Sequence, residues 1–384
     1  MRYLGLFFCL ALLGEACTSN EKQGQEKLRE LFKREAKLKG KDFESSFSGG
    51  LLKLVVRAPT RPKPILNHTI QGIEINIGTR SPVRCFVSEL SLPGTNISNI
   101  MASVDSNTSI NSLKKPVAEV LFAQNRPVLV VGAYYQTQDR LLGDFKIAHI
   151  MLDDHSINCT HDEPGYRETF KQLAINIAKS AKESLSHFTL IKKDLFRVSV
   201  EDNTIGFIHE QRAKKDGKEL LISYQSLLLP AVDDALRTVD SQSITRLLPG
   251  EKIQGAELLE YVNNEQQYAL SYEYRADKQY VFTGIKDGTS IDNRVSAKDP
   301  ILTEEAQVKK ALLAGKRSLS MQTYSPESAV DNFTSIAVEM TKGKSKGVMT
   351  WGEREVKFTL DKNYELLEQS IPQGDALIKV ERLR

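Results

Sequence analysis

The sequence predicts a β-rich α+β fold that is mostly antiparallel sheet, with one long helix and a C-terminal meander of strands. Three observations support this fold class. Apolar and polar residues alternate in several stretches, as at Ile73, Ile75 and Ile77, which is the period of a strand with one buried face. Short polar turns separate further runs of this kind between residues 333 and 383. Apolar residues recur at helical spacing over a long stretch only at about 165–186.

The chain begins with an apolar run that is typical of a secretory signal peptide. Arg2 supplies one positive charge, and the residues from Tyr3 to Leu13 are mostly apolar, as in the first two regions of such a signal. The run stops before Glu15 and is too short to cross a bilayer, which takes about 20 apolar residues. We expect segment 1–16 to direct export and to be removed. Its removal takes away Arg2 and Glu15 together, so the formal net charge stays at +3.

The residues just before Cys17 are similar to the lipobox of bacterial lipoproteins. Ala16 precedes Cys17 directly, while Gly14 and Glu15 stand where a lipobox usually has leucine and a small neutral residue. The resemblance implies that Cys17 becomes the first residue of the mature protein and carries lipid, such as palmitate. The partner would then be a membrane of the cell envelope, reached through this lipid. Plain secretion and an uncleaved signal anchor are the alternatives.

Segment 17–46 is predicted to be a polar tether. Residues 21–44 contain eight Lys or Arg and six Asp or Glu, and such a composition cannot bury enough apolar surface to fold alone. Leu28, Leu31 and Leu38 fall near helical spacing, so the tether can also form a surface helix. A solvated spacer and a partner-binding helix are the two interpretations.

The folded body is predicted to have an α+β domain at 47–201 and a β-rich domain at 202–384. The boundary is placed near Asp202, where polar residues follow a finished strand; a single continuous sheet that runs through this point is the alternative. In the first domain, the continuous apolar run from Val128 to Val131 indicates a strand buried on both faces. A helix is predicted after Pro164 and should lie against a sheet; its apolar positions are Tyr166, Phe170, Leu173, Ile177, Ala181 and Leu185.

The second domain is predicted to consist mainly of hairpins. Residues 268–274 and 279–284 form two alternating runs across a short polar turn, which predicts an antiparallel hairpin with cross-strand aromatic pairs. A short helix is predicted at 303–313, ending at Gly315. The meander then comprises 333–340, 348–351, 355–360, 364–368 and 376–383.

The cysteines indicate a disulfide. Cys9 leaves with the signal and Cys17 lies at the processing site, so Cys85 and Cys159 are the remaining pair. In an oxidising compartment such a pair is most simply bonded. Two separate buried thiols are the alternative.

One stretch contains residue types that bind metals. Half of the six histidines lie between residues 148 and 163, and its candidate ligands are His149, Asp153, His155 and His161. Their spacing matches no ligand pattern, and the disulfide already claims Cys159. A polar surface loop is therefore the favoured interpretation, and neither a metal nor another cofactor is expected.

The charge distribution and the absence of common motifs argue against several classes of function. The net charge of +3 and the even interleaving of acids and bases give no basic stripe for nucleic acid. The common nucleophile, phosphate-loop and zinc-protease motifs are absent from the sequence. The sequence therefore predicts a non-enzymatic binding or structural module of the cell envelope, with its protein or small-molecule partner unnamed. The alternative is a secreted hydrolase whose catalytic residues are dispersed through the fold.

Overall fold

A computed structural model describes residues 30–66, 71–105, 110–137, 142–184, 188–230, 236–341, 343, 345–351, 354–374 and 376–383. Segment 1–16, Cys17 and the first part of the predicted tether lie outside these ranges. Within them, strands dominate and pair antiparallel, which confirms the β-rich antiparallel prediction. None of the helices in these ranges is both long enough and apolar enough to cross a membrane.

The described part of the first half contains ten strands and two α-helices. The strands are β1 (Lys41–Phe47), β2 (Leu52–Ala58), β3 (Lys63–Leu66), β4 (Gln71–Ile75), β5 (Val83–Glu89), β6 (Ile110–Phe122), β7 (Pro127–Thr137), β8 (Leu142–Met151), β9 (His155–His161) and β10 (Lys182–Glu183). The helices are α1 (Pro93–Asp105) and α2 (Arg167–Ser180).

The described part of the second half contains fourteen strands and one helix. The strands are β11 (Thr189–Val200), β12 (Asn203–Lys215), β13 (Lys218–Pro230), β14 (Leu236–Leu248), β15 (Lys252–Val262), β16 (Glu265–Tyr274), β17 (Gln279–Lys286), β18 (Thr289–Ser296), β19 (Ser318–Thr323), β20 (Thr334–Met340), β21 (Lys346–Trp351), β22 (Arg354–Leu360), β23 (Leu366–Gln373) and β24 (Ala376–Arg382). The helix is α3 (Glu304–Leu313).

These strands form three sheets. The small sheet has the order β1-β2-β10, the middle sheet β3-β4-β5-β9-β8-β7-β6, and the large sheet β18-β17-β16-β15-β14-β13-β12-β11-β24-β23-β22-β21-β20-β19. The large sheet therefore consists of two meanders that are joined where β11 pairs with β24.

The middle sheet is buried on both faces. Val128 and Ile150 face a core shared with α2 and the small sheet, whereas Leu129 and Ile147 face a core shared with β11, β12 and β13 of the large sheet. Burial on both sides explains the continuous apolar run in β7. The cores on both faces pack the middle sheet against the other two sheets.

Cys85 and Cys159 form the predicted disulfide, and they lie opposite each other on β5 and β9. Their Cα atoms are 4.0 Å apart. The bond joins two neighbouring strands of the middle sheet. It lies on the face that α2 covers, since both cysteines belong to the core shared with this helix.

The helices differ in part from the prediction. α2 follows Pro164 and buries Phe170, Leu173 and Ile177, but it ends at Ser180 because Lys182 and Glu183 pair with β2. α1 is almost as long, with 13 residues against 14, so the prediction of one long helix is not confirmed. α3 forms as predicted: Thr303 caps it by accepting the amide of Ala306.

Two predicted boundaries fall inside sheets. The domain boundary near Asp202 lies in the turn between β11 and β12, which are paired neighbours in the large sheet. The change from one sheet to the next occurs instead between β10 and β11. Likewise β1 begins at Lys41, so the last residues of the predicted tether belong to the small sheet.

Candidate functional site

The large sheet curls around a partly open cavity of about 420 Å³. α3 and the segment between β19 and β20 contribute to its wall. That segment also joins the two ends of the sheet: Lys286 of β17 donates to the carbonyl of Pro326 at 2.8 Å, and Asn293 of β18 donates to the carbonyl of Asp331 at 3.0 Å. The cavity is therefore a feature of the curled sheet rather than of a single loop.

One part of the cavity wall is apolar. Strand alternation directs every second side chain inward, and the inward strand residues include Phe196, Leu258, Tyr272, Met321, Met349, Phe358 and Leu366. Tyr324 and Phe333 join this wall from the segment between β19 and β20. Tyr272 lies at the centre of an aromatic cluster, with ring centroids 4.9 Å from Tyr324 and 5.3 Å from Phe333. The predicted aromatic hairpin of β16 and β17 forms, and its Tyr272 contributes to this wall.

The other part of the wall is charged and lies at one end of the sheet. It combines residues from β11, β12, the end of β24, the first turn of α3 and the turns that precede β15 and β23. They are Lys192, Asp194, Glu210, Arg212, Glu251, Glu304, Glu305, Glu365 and Arg382. Three cations face six acids here, so the lining carries a net charge of −3 when every group is ionised.

Two of the cations are shared between the same two acids. Lys192 lies 3.0 Å from Asp194 and 2.7 Å from Glu365. Arg382 also pairs with Asp194 and lies 2.9 Å from Glu365. Arg382 additionally approaches Asp361 at 3.5 Å. These four lining groups therefore neutralise one another.

Arg212, the third cation, also forms ion pairs within the protein. Arg212 pairs with Glu219 and lies 2.9 Å from Glu251. Glu251 accepts the hydroxyl of Thr303 at 3.1 Å, which links this pair to the start of α3. Arg212 therefore has its charge balanced without the remaining acids of the cavity.

Three acids remain outside these pairs. Glu304 accepts the hydroxyl of Thr323, whereas the side-chain carboxylates of Glu210 and Glu305 form no hydrogen bond or ion pair with the described residues. Burial, with Asp194 and Glu305 nearby, raises the pKa of Glu210 to about 7. Burial likewise raises the pKa of Glu304 and of Glu305. Glu304 and Glu305 are both exposed by surface area, and both line the cavity.

The predicted metal-ligand residues are not gathered at one point. His149 is buried, with Nδ1 2.7 Å from Oδ1 of Asn158, and burial lowers its pKa to about 4. His155 Nδ1 lies 2.9 Å from Glu183. His161 stacks on Phe170 of α2 with ring centroids 6.3 Å apart. Within the described ranges no group of three or more His, Cys, Asp and Glu is placed to hold a metal ion.

Asp153, the fourth candidate, lies between the middle and large sheets. It pairs with Lys193 of β11 and lies 3.6 Å from Nε2 of His209 on β12. Gln211 donates to its backbone carbonyl at 3.2 Å. The prediction of a polar surface loop is wrong for most of this stretch, because His149 lies on β8 and His155 and His161 lie on β9, all three buried. Asp153, in the turn between these strands, makes a polar contact between two sheets and borders a second, open pocket.

The charged residues of the cavity were missed as a group from the sequence. They are spread from residue 192 to residue 382 and come together only when the sheet curls. A weak signal exists in β12, where Glu210 and Arg212 alternate with His209, Gln211 and Ala213, which are buried on the other face. Cys17, the predicted lipidation site, lies outside the described residues.

No family model matches the chain, and no curated protein matches it. Among solved structures it is similar to a β-barrel-like protein of a domain of unknown function from Brucella abortus, with a TM-score of 0.39 and 10% sequence identity. The match covers 52% of this chain and 98% of the other.

Proposed function

We propose that this protein is an exported, lipid-anchored binding module of a cell envelope that holds a small molecule inside its large sheet. The observation that carries the proposal is the partly open cavity of about 420 Å³. Pockets for small molecules commonly measure roughly 300–1,000 Å³ and combine an apolar wall with a few polar groups. This cavity has both properties, since aromatic and aliphatic residues form one part of it and charged residues the other.

Export and anchoring rest on the N-terminal sequence and on the disulfide. The apolar run before Cys17 has the features of a secretory signal, and its end is similar to a lipobox. The bond between Cys85 and Cys159 fits an oxidising compartment, where disulfides persist. The polar residues after Cys17 serve as a spacer between the lipid and the folded body.

Ligand binding is tested by recovering the protein from its source membrane and weighing it intact by native mass spectrometry. The expected result is a mass increment from a small molecule that is lost on denaturation. Leu258→Trp supplies the key variant, because Leu258 is half-buried and lines the cavity. It should reduce the increment while circular dichroism shows an unchanged fold. An increment that persists in this folded variant would place the ligand elsewhere.

Anchoring is tested by fractionating cells that produce the full chain and by labelling them with an alkyne fatty acid. Wild-type protein should take up the label and sediment with membranes, and Cys17→Ser should be unlabelled and soluble. Cys9→Ser is the matched control, since Cys9 lies inside the predicted signal and should not affect labelling. A soluble, unlabelled wild-type protein contradicts the lipid anchor but not the binding function.

A secreted hydrolase is the second candidate, and one observation favours it. Asp194 and Glu210 lie directly opposite each other on β11 and β12, and burial raises the pKa of Glu210 to about 7. A protonated acid beside a carboxylate is the arrangement that glycoside hydrolysis uses. Against this role, Lys192 and Arg382 already occupy the carboxylate of Asp194. Turnover of a chromogenic glycoside that disappears in Glu210→Gln would establish the hydrolase in place of the binding module.

A further inference from the structure

The charges inside the cavity are not balanced by the protein itself. All three lining cations form ion pairs with other acids of the protein, namely Asp194, Glu251 and Glu365. Glu210 and Glu305 keep carboxylates that form no hydrogen bond or ion pair with the described part of the chain. Glu210 is half-buried and Glu305 is exposed, and both line the cavity. A carboxylate that is partly removed from water and has no partner is stabilised by a proton or by a cation from outside.

Glu210 is the more informative of the two acids. Acidic residues are ordinary in the first turn of a helix, where they complement its dipole, and this explains Glu304 and Glu305 in part. Glu210 lies instead within β12, between His209 and Gln211, and has no such role. It nevertheless projects into the cavity near the start of α3. Its position is therefore not explained by secondary structure.

The cavity also offers surfaces that suit the rest of a ligand. Tyr272, Tyr324 and Phe333 present aromatic groups to the same space as the acids. Aromatic faces attract organic cations, and the attraction strengthens when water is excluded. The volume of about 420 Å³ exceeds what a single metal ion fills and is in the range for an organic molecule.

We propose that the cavity binds an organic cation with an apolar body, whose ammonium group lies at Glu210 and Glu305 and whose body packs on the aromatic wall around Tyr272 and Phe333. This inference rests on the proposed binding function and adds the chemical class of the ligand. The positive charge of the ligand balances the carboxylates that Lys192, Arg212 and Arg382 leave unpaired.

The proposal predicts a pH dependence of binding. An ammonium group favours ionised Glu210, so affinity should fall as the pH is lowered through about 7, the value to which burial raises the pKa of this group. The other charged groups around it are Lys192 and Asp194 on β11, Arg212 on β12, Glu251, Glu304 and Glu305 beside or on α3, and Glu365 and Arg382. In Glu210→Gln this fall should be lost.

The test compares two fluorescent probes of matched length. Dansylcadaverine ends in an ammonium group, and dansyl-6-aminohexanoate ends in a carboxylate. Each is titrated at pH 8 into the full chain carrying Cys17→Ser, which avoids detergent. The amine should bind at least about tenfold more tightly. Glu210→Gln and Glu305→Gln should each weaken the amine by about tenfold to a hundredfold, the scale of one hydrogen bond to a charged group, without weakening the carboxylate.

Controls separate this inference from the proposed function. Glu265→Gln changes an exposed acid of β16 outside the cavity and should leave both affinities unchanged. Equal binding of the two probes, or tighter binding of the carboxylate, overturns the organic cation and leaves the binding function standing. Displacement of the amine by equimolar Ca²⁺ overturns it as well, in favour of a metal. Failure of both probes to bind, or their undiminished binding to folded Leu258→Trp, contradicts the proposed cavity function itself.

Discussion

Asp144 and Arg167 form an ion pair at the edge of the core, with Nη2 of Arg167 2.9 Å from Oδ1 of Asp144. Asp144 is fully buried, and it also balances the buried ammonium of Lys146 at 3.4 Å. It accepts the amide of Gly165 at 3.3 Å as well, so it fixes the turn that leads into α2. One carboxylate thus holds together β8, the turn and the helix.

Asp144→Asn should strongly destabilise the fold. The variant leaves Lys146 buried without its counter-charge, and breaking a buried pair from one side costs about 3–5 kcal/mol of unfolding free energy. Urea denaturation followed by circular dichroism measures the change. Asp42→Asn is the matched control, because it breaks the exposed Asp42–Arg57 pair, and its midpoint should stay close to wild type. Equal effects of the two variants would contradict the importance of the buried network.

Loss of the disulfide should also destabilise the protein. Cys85 and Cys159 enclose a loop with a sequence separation of 74, for which the chain-entropy model gives about 4 kcal/mol. The double variant Cys85→Ser, Cys159→Ser should therefore unfold at lower urea concentration than the oxidised protein. Thiol titration of the denatured, unreduced Cys17→Ser chain should find neither cysteine free. Finding two free thiols there would contradict the bond.

His149 should make stability sensitive to acid. Burial lowers its pKa from 6.5 to about 4, so between these values the unfolded chain binds a proton that the folded protein does not. Stability is then fully present above about pH 6.5 and is lost as the pH falls towards 4, by roughly 3 kcal/mol. His149→Gln should flatten the dependence of unfolding free energy on pH across this window. An unchanged slope would mean that other groups, such as His209, dominate.

Asp240, on β14 of the large sheet, should stabilise the start of α1. It is buried on β14 and accepts the amides of Gly94 and Thr95 at the start of the helix. Asp240→Ala removes this cap and should cost about 1–2 kcal/mol. Asp240→Asn keeps an accepting oxygen and should lose less. Thermal unfolding of the two variants gives the comparison, and an alanine variant as stable as wild type would contradict the role.

Local signals in the sequence were sufficient for the elements that depend on neighbours in the chain. α3 was predicted because acids begin it, lysines end it and Gly315 follows, and the structure gives Gly315 a φ of 77°. The hairpin of β16 and β17 followed from two alternating runs across a short polar turn. α1 was missed because its cap, Asp240, lies far along the chain. α2 was predicted too long because the apolar spacing continues past Ser180, where pairing with β2 takes over.

The candidate site depended on information that the sequence carries only weakly. Cys85 and Cys159 were identified by elimination, since few cysteines were available. Glu210, Glu305 and Lys192 resemble ordinary surface residues in the sequence, because strand alternation does not tell which face of a sheet will curl around a cavity. The order of the strands in the large sheet brings these three residues together.

The pairing of β11 with β24 has a consequence for the order of folding. Among the described strands it is the contact that unites the two meanders of the large sheet, and it joins residues as distant in sequence as Phe196 and Arg382. Contacts of such long range form slowly. A chain made from its N-terminus can assemble β11 to β18 early, but the edge of β11 stays unpaired until β24 is present. During that interval the open edge is a site for aggregation, and a chaperone that covers it would act before the cavity exists.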